Sequence, residues 1–356
     1  MTTVLVVTSR APQWAAYSYY QDWLQGFLQH PTVRADVLDI QSRQGLLRAG
    51  VLRGRYDAII FLHNVYPTLE RSPRLAVLRG LLSRVRGPRA FFLSNEYRFF
   101  TEKAQMGAYL GARVLLTQLN LEDAQMVYDL APGKSLLSLP YGFTPQTFAP
   151  GPPLAQRPVD MGFRGDYYAP YVGHDDRNLL LDDLAARLAA RDDVRADIRV
   201  GERLYSAGWV AFLQSCRALV GHEAGASRLD ATQNTRHFIN EQQKRLPEDD
   251  FGGLMAALRQ YGVFDPPPSG RIAAPRNFEA LGTQTVQVLL PGRYNDVLQP
   301  GVHYLELQRD FSNLDDVLTT LADHAACQRM VENAYMDALA HHTYEKRIDQ
   351  LLAALV

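Results

Sequence analysis

The segment Pro275 to Leu290 (PRNFEALGTQTVQVLL) holds the side chains of this sequence best placed to do chemistry. It sets one carboxylate, Glu279, in the early turns of a helix that ends at Gly282. The alternation of Val286, Val288 and Leu290 then reads as a strand closed by a Pro-Gly turn. A carboxylate at the carboxyl edge of a sheet can accept two hydroxyl donors at once, as nucleotide-dependent enzymes do when they hold a ribose. The plainer role is a glutamate that caps the helix or pairs with Arg276, since negative charge is favoured near a helix start. A second acid, Glu223, lies in the run Gly221-His222-Glu223-Ala224-Gly225-Ala226-Ser227 and closes an apolar strand. The backbone N–H groups of Gly225, Ala226 and Ser227 could face an anion or a hydroxyl there. A simple turn acid is the alternative.

Two arginines are candidates for holding a phosphate-like anion. Arg164 ends a strand just before Gly165, which would let backbone approach a phosphate, and Arg276 opens the helix of Asn277, Phe278 and Glu279. Arg164 could equally be solvated, and Arg276 could pair with Glu279. Glu96 and His63 fall at strand ends, where either could orient or deprotonate a hydroxyl nucleophile. Glu96 could instead pair with Arg98, and a strand-end histidine is often satisfied by backbone. Trp14, Tyr17, Tyr19 and Tyr20 have the helical spacing of core packing, with sugar stacking as the competing role. His341 and His342 have no partner acid or cysteine to complete a ligand set. No phosphate-binding P-loop, dinucleotide fingerprint, nucleophile elbow or His-Glu-x-x-His pair is present, and no Asp-x-Asp that would hold a metal.

The elements that must position these groups alternate. Thr3–Thr8 is a continuous apolar run, typical of a parallel strand covered on both faces, and Trp14–Leu28 follows with helical period. Further strands are expected over 35–40, 56–62, 89–93, 114–118 and 135–139. After the proline- and glycine-rich connector 140–153, the second half supplies strands over 159–164, 196–201, 218–222, 284–290 and 302–307, with a helix over 178–190. The segment 228–270 is polar and weakly periodic and reads as a lid, an acceptor loop or a surface insertion. Two amphipathic helices are expected from Leu314 onward. Such alternation predicts α/β domains whose ligands bind beyond the carboxyl ends of parallel strands.

Composition narrows the class. The 356 residues suggest two domains at roughly 150 residues each, and 47% hydrophobic with 21% charged residues is ordinary globular usage. With 37 basic and 38 acidic side chains, no global field draws the chain to nucleic acid or an anionic membrane. Cys216 and Cys327 are too few for a disulfide scaffold. The start of the chain has no leader pattern and no run approaches a membrane span, so a cytoplasmic location is expected.

Two doubly wound halves, a proline-rich hinge and the Phe278-Glu279-Ala280 module resemble a GT-B glycosyltransferase, of the CgeB-like type within the retaining, glycogen-synthase-like (group 1) superfamily. The resemblance is densest from Tyr141 to Gly165 and from Pro275 to Asp310, with His342-Thr343-Tyr344 near the end; the first half matches in architecture alone. It implies two Rossmann-like domains facing a central cleft: an acceptor-side domain over 1–145, a nucleotide-sugar domain over 146–335 with the 228–270 insertion, and a final helix over 336–356 packing back on the first. In that superfamily two glutamates separated by seven residues flank the donor. Glu279 takes the place of the second, beside the ribose, but eight residues before it stands Arg271, and Glu223 is the candidate for the first role. The implied activity is sugar transfer from a nucleoside-diphosphate sugar to a hydroxyl acceptor on a glycan, protein or small molecule. It would retain configuration and need no metal or other cofactor. A nucleotide-sugar epimerase and a non-catalytic binding module are the alternatives.

Overall fold

The structure is a computed structural model describing residues 1–12, 18–42, 54–230, 234–247, 250–260 and 268–355. Trp14 and Tyr17, two of the aromatic residues weighed above, lie outside the described residues. Contacts divide the chain into two units, Met1–Pro140 with Tyr344–Val356, and Tyr141–Thr343. The first division falls at Pro140, ahead of the boundary expected after residue 145. The returning tail begins at Tyr344, later than the expected 336.

The first unit is built on a six-stranded sheet, β2-β1-β4-β6-β7-β8 in order. The strands are β1 (Thr2–Thr8), β2 (Val33–Asp39), β4 (Ala58–Phe61), β6 (Arg89–Phe92), β7 (Val114–Thr117) and β8 (Ser135–Ser138), with a two-residue ladder of β3 (Gly54–Arg55) and β5 (Val85–Arg86) beside them. All the pairings are parallel. Val4, Val6, Ala58, Ile60 and Ala90 therefore face one covered core, where helix Ser18–Gln29 contributes Trp23, Leu24 and Phe27. The last helix, Tyr344–Ala353, closes the same core with Tyr344, Ile348 and Leu351.

The second unit carries a five-stranded parallel sheet, β10-β9-β11-β14-β15. Its strands are β9 (Val159–Gly165), β10 (Ala196–Val200), β11 (Cys216–Gly221), β14 (Val286–Leu289) and β15 (Leu305–Glu306), with β12 (Ala224–Ala226) and β13 (Gly270–Ile272) forming a separate antiparallel pair. In both sheets the order reverses next to the first strand, beside β1 and beside β9. The crevice past the carboxyl ends at such a reversal is where open α/β sheets bind ligands.

Arg157 ties this unit together. It is 2% exposed, yet its guanidinium meets no carboxylate among the described residues. It donates instead to the carbonyls of Pro152, Leu213, Cys216 and Thr283 and to Thr285 Oγ1. The planar fork of an arginine suits this, because it serves several fixed acceptors at once.

Three expectations need correction. The chain after Leu314 forms three helices, Leu314–Ala322, His324–His341 and Tyr344–Ala353. Asp323 breaks the first from the second by accepting from Ala326 N at 2.9 Å, and a bridge of Thr343 to Phe143 separates the third. The expected strand over 302–307 shortens to Leu305–Glu306. The 228–270 segment includes helices Asn234–Gln243 and Phe251–Gln260, which bury Ile239, Leu254, Met255 and Leu258 in a core of their own. Among the described residues no helix is long and apolar enough to cross a membrane.

Replacing Arg157 with leucine strands several buried carbonyls, each worth about 1–3 kcal/mol when unsatisfied. We expect the variant to lose about 3 kcal/mol or more in urea unfolding, far beyond what a solvent-exposed Arg→Leu change costs.

Candidate functional site

In the second unit the carboxyl ends of β9 and β11 deliver Arg164-Gly165 and His222-Glu223 to the crevice. Helix Pro275–Gly282 starts beside them, with Pro275 at its first position and Asn277 closing its start by accepting from Ala274 N at 2.8 Å. Asn277 Nδ2 also donates to Gln287 Oε1 at 2.8 Å, so this side chain joins helix to strand. Phe278 is buried against His342, ring centroids 5.9 Å apart.

That packing leaves Glu279 4% exposed. One carboxylate oxygen, Oε2, accepts from the indole Nε1 of Trp209 at 2.7 Å. Trp209 stands on helix Ser206–Ser215, stacked against Phe212 at 5.7 Å. The guanidinium of Arg276 lies 5.9 Å from the Trp209 ring and 4.9 Å from that of Phe163, and it donates to the Arg164 carbonyl at 3.2 Å. No carboxylate within salt-bridge distance of Arg276 is present among the described residues. Burial and the nearby Arg177 charge pull its pKa down to about 10, leaving it cationic at neutral pH. Arg276 is thus a cation held by aromatic faces and a carbonyl, with the Glu279 charge acting on it at longer range.

Arg164 is placed differently. It is paired with Asp197 at 2.5 Å, donates to the carbonyls of Phe163 and Asp197, and sits 4.2 Å over the Phe212 ring. Glu223 is also engaged. Its Oε1 accepts from Tyr294 N at 2.7 Å, and a Cβ on Gly292 would come within 2.7 Å of the carboxylate. The turn it grips is strained, with φ of 49°, 56° and 57° at Tyr294, Asn295 and Asp296. Burial raises the Glu223 pKa against the lowering effect of those backbone donors and of Arg271.

Gly225 takes φ 89° because a Cβ there would lie 1.9 Å from the Gly270 carbonyl, where β12 meets β13. Ala226 is buried, Ser227 N donates to Val172 O at 2.8 Å and Ser227 Oγ to Gly173 O at 3.0 Å. These three residues anchor the loop that follows β9.

That loop brings in groups the sequence reading passed over. His174 and His222 each give one ring N–H to a carbonyl, of Gly225 at 3.1 Å and of Glu223 at 2.5 Å. Arg177 donates Nε to His222 Nε2 at 3.3 Å and stacks 3.7 Å over Tyr168. Asp176, buried, meets His174 Nδ1 at 3.3 Å and also Arg271 and Arg309. His174, Asp176 and His222 could reach one metal ion. Three arginines already occupy those lone pairs, however, and a divalent cation would have to displace them. Burial, followed by the charge of Arg271, pushes His174 down to about 3; burial, followed by Arg177, holds His222 well below its ordinary value. The signal available in the sequence was the charged run His174-Asp175-Asp176-Arg177, directly after a strand and its loop.

In the first unit, His63 follows β4 and stacks on Tyr20 with centroids 4.3 Å apart. Neither of its ring nitrogens has a hydrogen-bond partner among the described residues, and the same holds for Ser9 Oγ and Ser94 Oγ at neighbouring strand ends. Asn64 braces the edge by donating to Ser9 O at 2.8 Å. Burial alone drives His63 down to about 3. Glu96, by contrast, is fully used: Thr117 Oγ1, Gln118 N and Tyr128 Oη all donate to it, at 2.8–2.9 Å, 2.8 Å and 2.6 Å. Lys103 clamps the adjacent Ser94 and Asn95 carbonyls at 2.6 and 2.8 Å, where φ is 40° and 50°. Glu96 is therefore a brace of the strand end, paired with Tyr128 and not with Arg98.

Residues 177–353 match a family model described as glycosyl transferase-like. The chain has the GT-B fold. Its whole length superposes on that GT-B fold in HepE from Anabaena in complex with UDP-glucose, at 14% identity and TM-score 0.51 over 100% of both chains. A sucrose-phosphate synthase from Thermosynechococcus elongatus is similar to this GT-B chain at 9% identity and TM-score 0.55, covering 100% of this chain and 99% of that one. Likeness at such identity establishes two Rossmann-like domains and nothing finer. No curated protein sequence matches the chain.

Below pH 6.5 the unfolded chain protonates His63 while the folded protein refuses the proton until about pH 3, so stability is lost as pH falls through that window. Replacing His63 with phenylalanine should remove one proton's share, about 1.4 kcal/mol per pH unit between pH 6 and 4. Urea unfolding of both proteins across that range measures the difference.

Proposed function

We propose that this protein transfers a hexose from a nucleoside-diphosphate sugar to a hydroxyl acceptor in the cytoplasm, with retention of configuration and without a divalent metal. The observation that carries the reading is Glu279. It is a buried carboxylate at the carboxyl edge of the second sheet, one oxygen oriented by Trp209, beside the cation Arg276, which forms no ion pair at salt-bridge distance among the described residues.

In this reading Glu279 accepts both ribose hydroxyls, and the Trp209 indole fixes the direction of its lone pairs. Arg276 faces the diphosphate, with Arg177 close enough to depress its pKa and so to share the charge of the leaving group. Fixed cations held against aromatic faces need no reorganisation when charge develops on the leaving phosphate. Gly165 lets backbone approach that phosphate, while Arg164 keeps the strand end in place through Asp197. Glu223 acts by holding the turn Arg293–Asp296 beside the site. Attack on the same face as departure lets the leaving phosphate take the acceptor proton as oxocarbenium-like charge forms. His63, neutral and weakly basic, suits accepting a hydrogen bond from a hydroxyl better than removing its proton.

A non-catalytic sugar-nucleotide module is the second reading. It draws on Arg271, which stands where the superfamily has its first glutamate and spends its charge on Asp176. HepE was crystallised with UDP-glucose, so UDP-glucose is the first donor to test.

Thermal shift should show UDP-glucose or another nucleoside-diphosphate sugar raising the melting temperature equally with magnesium and with EDTA. Glu279→Ala should weaken that binding at least tenfold, the loss of a charged hydrogen-bonding partner. Absence of a shift with every common nucleotide sugar would overturn the donor site. Binding without transfer to any of a broad acceptor panel would favour the second reading.

A further inference from the structure

At the opposite, amino-terminal edge of the first sheet lies a cavity of about 890 Å³, far from the strand ends that hold Ser9 and His63. Arg55, Arg84, Arg86 and Arg113 line it, together with Tyr56, Asp57 and Leu355. We propose that this cavity is a binding site for an anion with closely spaced phosphate groups.

The arginines are placed at a cost to the fold. Parallel pairing of β3 with β5 sets Arg55 directly in register with Arg86, and like charges facing each other across a ladder are destabilising. Gly87 permits this close approach, since a Cβ there would lie 2.4 Å from the Tyr56 carbonyl. The cavity's own acid, Asp57, is held by Thr3 N at 2.8 Å and Thr3 Oγ1 at 2.9 Å and acts on Arg55 at longer range, one negative charge against four positive ones.

Arg89 shows what a structural arginine in this neighbourhood looks like. It donates to the carbonyls of Leu110, Leu82 and Val85 at 2.7, 2.7 and 3.1 Å. The four cavity arginines are exposed, and their guanidinium groups make no hydrogen bond or ion pair among the described residues. Guanidinium forks match phosphate oxygens two at a time, and one phosphate cannot satisfy four forks spread around such a volume. Several linked phosphates can. Such groups occur on soluble polyphosphates and on phosphorylated lipid headgroups.

The test is independent of sugar transfer. Calorimetric titration with inorganic tripolyphosphate at low salt should show one saturable site on the wild-type protein, weakening as salt rises. Arg55→Ala with Arg86→Ala should reduce affinity more than tenfold, and so should Arg84→Ala with Arg113→Ala. Unchanged melting temperatures establish that both variants fold. Arg276→Ala, on the other unit, should bind tripolyphosphate as wild type does. No saturable binding, wild-type affinity in either double variant, or a loss confined to Arg276→Ala would each overturn the proposal. Pelleting with phosphatidylcholine vesicles bearing phosphatidylinositol bisphosphate, lost in the Arg55/Arg86 variant, would assign the site to a lipid headgroup. Tripolyphosphate binding without pelleting would assign it to a soluble anion.

Discussion

A buried guanidinium bound to carbonyls holds the second unit in register. Arg157 reaches the connector at Pro152, the junction of helix Ser206–Ser215 with β11, and the turn between helix Pro275–Gly282 and β14. Those are the two helices that carry Trp209 and Glu279. The 2.7 Å contact between these side chains exists because their backbones are fixed from beneath by one cation serving several carbonyls. Desolvation lowers the Arg157 pKa to about 10, which still leaves the guanidinium charged at neutral pH.

Buried charge recurs through both units with different settlements. Asp176 is over-supplied with cations, by Arg271 and Arg309. Glu96 is satisfied chiefly by neutral donors. Arg276 has aromatic faces and a carbonyl in place of an acid. A group whose field is cancelled locally stabilises the fold, and one whose field is left over can act on a ligand. By that criterion Arg276 stands apart from Arg164, although both sit at strand or helix ends.

The architecture was legible because period and composition report burial. Runs such as Thr3–Thr8 and Val286–Leu290 can only be covered strands, and they appear as β1 and β14. Glu279 was legible for the same reason, as an acid between the buried Phe278 and Ala280. What each polar side chain does was not legible, because that depends on partners distant in sequence. Arg164 finds Asp197 33 residues on, and Glu223 finds Tyr294 71 residues on. Trp209, at 70 residues from Glu279, and Arg157 gave no local sign of their roles. The helices of the 228–270 segment were hidden because their shared core is only a few residues.

The return of the final helix to the first unit has a temporal consequence. Trp23 packs against Tyr344 at 5.0 Å, and Gly26 is a glycine where a Cβ would press on Tyr344 and Ile348. During synthesis the amino-terminal sheet leaves the ribosome with that face uncovered, and it stays so until some two hundred further residues have been added. The carboxyl-terminal unit, contiguous from Tyr141 to Thr343, can complete its own core first. The core around Trp23 and Phe27 therefore cannot be completed until the final helix has been made, after the whole of the second unit.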